Sequence, residues 1–115
     1  MRVKTGFARR RAHKKVLAQT KGYRMTKRRL IKVAKEALLH AGAYAYVGRK
    51  NKKSNMRQLW ITRINGALSE YDLSYSKFIK GLKEKKIEID RKILAELIQD
   101  NPEAFKQIVE TVKAR

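Results

Sequence analysis

The stretch AGAYAYVGRKNKKSNMRQLWITRIN, residues 41–65, decides the architecture. Its start continues a helical pattern carried by Leu30, Val33, Ala34, Ala37, Leu38, Ala41, Tyr44 and Ala45. Its end opens a second pattern over 56–71, where Leu59, Trp60, Ile64, Ala67 and Leu68 share one face. Between them GRKNKKSN, residues 48–55, is polar and basic with no hydrophobic period. Two readings fit it: a loop, or the solvated part of one very long helix. Gly42 and Gly48 weaken the helix and favour a bend.

Working outward to the N-terminus, residues 8–20 read as a first helix, with Ala8, Ala12, Val16, Leu17 and Ala18 among basic residues and Gly22 as its stop. Its apolar face is thin, so alone it is marginal in water and needs a partner to form. Thr26 is the expected N-cap of the next helix. Toward the C-terminus, Ser74 caps a helix bearing Phe78, Ile79 and Leu82. IEID, residues 87–90, reads as an extended connector rather than a sheet strand, and Asp90 caps a helix bearing Ile93, Leu94, Leu97 and Ile98. Asn101-Pro102 starts the last helix, because proline suits the first helical position, and Phe105, Ile108, Val109 and Val112 form its stripe. The sequence thus predicts an all-α chain. A long basic helical extension, 1–58, precedes a small compact helical domain, 59–115, built from four short helical segments.

Charge divides the chain at the same place. Of its 115 residues 30 are Lys or Arg and 10 are Asp or Glu, a formal +20. Residues 1–58 carry 19 cations and one acid, Glu36, whereas 59–115 carry 11 cations and nine acids. Residues 8–29 alone hold ten Lys or Arg and no acid. Such a segment repels itself, and a bound polyanion removes that cost.

Several classes are excluded. There is no cysteine, hence no disulfide or thiolate metal site. No apolar run approaches the ~20 residues of a membrane span. The start MRVKTGFARRR lacks the apolar core of a secretory signal. It does not read as a transit peptide either, since the basic pattern passes residue 50 without a cleavage-like change. The alanine-dominated stripe from Leu30 to Ala45 lacks the bulky face of a membrane-surface helix. No Walker or dinucleotide loop is present. His13 and His40 are read as surface or RNA-contacting imidazoles without a carboxylate partner, the acids are scattered, and no metal, cofactor, small-molecule substrate or enzymatic activity is expected.

The remaining class is nucleic-acid binding, since neutralised phosphates release counterions and Arg matches phosphate oxygens with a planar fork. The candidate contacts are Arg2, Lys4, Arg9, Arg10, Arg11, His13, Lys14, Lys15, Lys21, Tyr23, Arg24, Lys27, Arg28, Arg29, Lys32, Arg49, Lys50, Lys52, Lys53, Arg57 and Arg63. Phe7, Tyr23, Tyr44, Tyr46 and Trp60 interleave with them as stacking candidates, Trp60 being assigned to the core. A general DNA- or nucleoid-binding protein is the rival. A helix-turn-helix, however, concentrates its contacts on one recognition helix, whereas this arm is basic throughout.

VKTGFARRRAHKKVLAQTKGYR, the stretch quoted first, and LSYSKFIKGLKEKKIEIDRKILAEL resemble the bacterial large-subunit ribosomal protein L-twenty family. HKKVL, KGYR, AYAYVGRK, RQLWITRIN and LSYSKFI stand in order at family-like spacing. The chain departs at its start, where the family commonly has proline after Met1 and this chain has Arg2. The resemblance implies a cytoplasmic, ribosome-bound protein that binds large-subunit rRNA directly and joins assembly early. It implies an RNA-penetrating N-terminal helical arm, a neighbour from the L-twenty-one family, and in some bacteria repression of its own operon mRNA. With the charge, it implies that 1–58 folds on RNA, while Arg63, Lys77 and Lys80 offer a second RNA surface.

Overall fold

The computed structural model describes residues 4–114, so the candidate contact Arg2 lies outside the described residues. These are all helix, turn and irregular chain, with no strand among them. The helices are α1 (Gly6–Gln19), α2 (Ile31–Ser69), α3 (Tyr75–Glu84), α4 (Arg91–Asp100) and α5 (Pro102–Lys113), and a short 3-10 turn (Met25–Arg28) precedes α2. Two compact units divide at Lys50/Asn51, each containing part of α2.

In the first unit α1 ends as expected. The N–H of Thr20 donates to the Val16 carbonyl (3.3 Å). The buried Thr20 hydroxyl donates to the Leu17 carbonyl (3.2 Å). Gly22 then takes φ +85°, a left-handed conformation that glycine adopts without Cβ strain. Thr20 and Ala34 are the only fully buried residues described in this unit.

The expected cap at Thr26 is corrected. Thr26 sits inside the 3-10 turn, and its carbonyl accepts from the N–H groups of Arg29 and Leu30, both at 2.9 Å. The α2 helix starts instead at Ile31, with the Leu30 carbonyl accepting from Ala34 N–H at 2.8 Å. A helix begun at Thr26 would place Lys27, Arg28 and Arg29 at the positive end of the helix dipole, which is unfavourable.

Residues 48–55 belong to the long-helix reading. The α2 helix passes through Gly42, Gly48 and the whole polar stretch without interruption. The segment contains neither proline nor a β-branched residue, and its Lys and Arg are good helix formers.

The second unit holds the core. Ile64 and Leu68 of α2, Phe78 and Leu82 of α3, Leu94 of α4, and Phe105 and Val109 of α5 form one buried cluster. The α5 helix packs on both α3 and α4. The Phe78 and Phe105 rings lie 5.9 Å apart between centroids, and Tyr71 meets Phe105 edge-on at 6.5 Å. Asn101 is a bonded cap, its side-chain oxygen accepting from Ala104 N–H at 3.1 Å. Ser74 and Asp90 occupy cap positions without a side-chain bond. Residues 87–90 are a connector and not a sheet strand, as expected, with Asp90 in extended backbone and Ile87 N–H donating back to the Leu82 carbonyl at 2.9 Å.

Three assignments to the core change. Leu59 is 40% exposed and Ile93 46% exposed, while Trp60 is half-buried outside the cluster. Ala95 is fully buried as well, although α4 meets the buried cluster through Leu94, with Leu97 and Ile98 packed against it.

Candidate nucleic-acid interface

Every described Lys and Arg from Lys4 to Arg57 is exposed. Among the described residues none of them lies within 4.0 Å of a carboxylate oxygen. The second unit differs: Lys80–Glu84 (3.7 Å), Lys92–Glu96 (4.0 Å) and Lys106–Glu110 (4.0 Å) are pairs one helical turn apart. Such pairs contribute only a few tenths of a kcal/mol, but they cancel charge locally. The Lys and Arg of the first unit have no such partners among the described residues, and Glu36 is its one acid, so its field is predominantly positive.

The predicted contacts fall in groups along the elements. Arg9, Arg10, Arg11, His13, Lys14 and Lys15 lie on α1, with His13 half-buried and the others exposed. Lys21 and Arg24 flank the turn at Gly22; Lys27 and Arg28 lie in the 3-10 turn with Arg29 just beyond. Lys32, Arg49, Lys50, Lys52, Lys53, Arg57 and Arg63 ride on α2, all exposed. Of the second surface, Lys77 is exposed and Lys80 is paired with Glu84.

The aromatics separate into three kinds. Phe7 is covered by the Arg11 guanidinium 4.1 Å from its ring centroid, and Lys50 stands 5.4 Å from the Tyr46 ring. Both rings already have a cation as neighbour. Tyr44 stacks with His40, centroids 6.0 Å apart and planes 28° from parallel. With the half-buried Tyr23 these two rings line an open groove of about 450 Å³, together with Lys27, Val33, Glu36, Ala37 and Ala41. His40 corrects an expectation here, since its Nε2 is 3.9 Å from a carboxylate oxygen of Glu36, one turn away.

Trp60 does not enter the core but lines a groove of about 520 Å³ with Lys53, Ser54, Arg57, Asp90, Arg91 and Lys92. Arg91 is held there by its Nε–H, which donates to the Tyr75 hydroxyl at 2.7 Å. Sequence reasoning missed Arg91 and Lys92 because they are distant from Arg57 in the chain. The available signal was two cations at the first turn of α4, where the helix dipole does not favour them.

Among the described residues no three His, Cys, Asp or Glu gather as metal ligands, and no described helix is long and apolar enough to cross a membrane.

Comparison with known proteins places this arrangement. The family model described as Ribosomal protein L20 matches residues 2–108. The chain is 49% identical over 114 residues to the large ribosomal subunit protein bL20 of Methylibium petroleiphilum, covering 99% of this chain and 97% of that one. It is 53% identical to the bL20 of Verminephrobacter eiseniae (99% and 96% covered) and 52% identical to that of Francisella tularensis subsp. novicida (98% and 96% covered). Near-complete coverage in both directions, with the all-helical fold and the unpaired basic surface, makes this chain a member of the ribosomal protein L20 family.

Proposed function

We propose that this chain is a structural constituent of the bacterial large ribosomal subunit, not an enzyme, and that it binds large-subunit rRNA directly and early in assembly. The observation that carries the reading is the arm with almost no counter-charge: exposed cations from Lys4 to Arg57, none of these Lys or Arg within 4.0 Å of a carboxylate oxygen among the described residues, and Glu36 its one acid. RNA phosphates supply the missing anions, and release of their counterions drives binding. The functional division follows the charge, with 1–58 as the RNA-penetrating arm and 59–115 as the helical domain that adds a second contact surface. The same RNA-binding surface would serve repression of the chain's own operon mRNA, and a protein of the L-twenty-one family is the expected neighbour on the subunit.

Binding of the full chain and of a 59–115 fragment to large-subunit rRNA, with duplex DNA as competitor across a salt series, tests this. Each phosphate neutralised steepens the log–log salt slope by roughly 0.7 to 0.9. The full chain should therefore show the steeper slope and prefer rRNA at moderate salt. Equal competition by DNA at every salt would instead identify a general polyanion binder.

A further inference from the structure

Glu36 is the one acid among the first 58 residues, and it is badly placed for a surface that only neutralises phosphates. It is 71% exposed at its side chain, and among the described residues only His40 approaches it, at 3.9 Å. A free carboxylate on an RNA-facing surface repels the backbone it meets. Yet it lies in the groove that gathers Tyr23, His40 and Tyr44, with Lys27 also on the lining. Residues 36, 40 and 44 are successive turns of one face of α2, so the carboxylate and the two stacked rings form a single row.

We propose that this groove is a base-reading site that receives one unpaired guanine, an inference that rests on the chain being an rRNA-binding protein. An extruded base stacks on the exposed face of Tyr44, as unpaired RNA bases do on aromatic side chains. An ionised carboxylate can only accept hydrogen bonds. Guanine alone offers it two adjacent donors, N1–H and the N2 amino group, and so two parallel charge-assisted bonds. Cytosine and adenine place an acceptor nitrogen beside their amino group, and uracil flanks its single N–H with two carbonyls. Each would set a lone pair against the carboxylate. Lys27 is the cation in the groove for the guanine's own phosphate. The arm thus combines sequence-blind phosphate contacts with one point of base selection.

The test uses the full-length protein bound to large-subunit rRNA. Kethoxal reacts across N1 and N2 of unpaired guanine, the edge assigned to Glu36, and dimethyl sulfate reports adenine N1 and cytosine N3 in parallel. With the unsubstituted protein, one guanine should be protected. In Glu36→Gln and in Tyr44→Ala that guanine should become about fivefold or more reactive, while the other protections persist. Glu88→Gln, on the connector before α4, should leave it protected. Both side chains are exposed, so neither variant removes a core contact. The proposal is overturned if all guanines stay equally protected in both variants, or if the protection they lose lies on adenine or cytosine. If the unsubstituted protein protects no nucleotide and prefers rRNA no more than duplex DNA, the RNA-binding reading fails and this site with it.

Discussion

Gly81 lies where α3 meets α5. A Cβ at this position would collide with Cγ1 of Val112, a branched side chain with little freedom to turn aside. Gly66, in α2, has open space around it. The same substitution should therefore act in opposite directions at the two positions. Gly66→Ala should raise stability by about 0.5–1 kcal/mol through helix propensity. Gly81→Ala should lower it, since overpacking typically costs ~1–3 kcal/mol and outweighs that gain. Urea unfolding followed by circular dichroism measures both, and equal midpoints for the two variants would contradict the close approach of α3 and α5. At this scale the sequence is a partial guide. The periods that picked Leu94, Phe105 and Val109 for the core also picked Ile93 and Leu59, which are exposed. Periodicity locates a stripe, but its edges depend on which partner covers it. Ala95 was invisible for the complementary reason: a small residue gives a weak hydrophobic signal even where two backbones come close. Trp60 was misread because a large ring beside Leu59 resembles a core residue, whereas its neighbours in the fold are cations from a distant helix.

Among the elements, the helix starts test how far a cap can be read from residue type alone. Asn101, Ser74 and Asp90 all occupy N-cap positions, as their chemistry suggests, yet only Asn101 bonds a helix N–H through its side chain. Asn101→Ala should cost ~1 kcal/mol, and Ser74→Ala and Asp90→Ala distinctly less, in the same denaturation assay. Comparable losses at all three would show that side-chain caps form in solution at Ser74 and Asp90. Helix α1 presents the opposite case. It has no buried residue, no bonded side-chain cap and no carboxylate in its first turn. Helical propensity alone barely sustains a segment of its length. A peptide of residues 1–58 should therefore show low helicity by circular dichroism at physiological salt and gain it on adding large-subunit rRNA. Strong helicity without RNA would contradict folding coupled to binding. The two open readings of residues 48–55 illustrate what a period-based reading lacks. A helix with no apolar face leaves no period to detect, so only the absence of breakers spoke for continuity there.

For the molecule as a whole, two units coexist in one chain with different sources of order. Residues from Asn51 onward enclose a buried cluster drawn from four helices. Those up to Lys50 bury only Thr20 and Ala34 completely among the described residues, and display their cations to solvent. The all-helical class and the charge boundary were legible because both are sums over many residues. The grooves around Tyr44 and Trp60 were not, because each depends on side chains that only the folded chain brings together. The row of exposed, unpaired cations has one more consequence. Every Lys and Arg is a cleavage point for trypsin-like proteases, and those on the arm are protected by little tertiary packing. Limited trypsin digestion of the free protein should remove the arm first and leave a resistant fragment containing Ile64 to Val109, while the RNA-bound protein should stay whole for much longer. Simultaneous loss of both units would count against the difference in order between them. A copy without RNA is then the copy open to destruction, so the number of molecules that persist would follow the number of RNA sites available to shelter them.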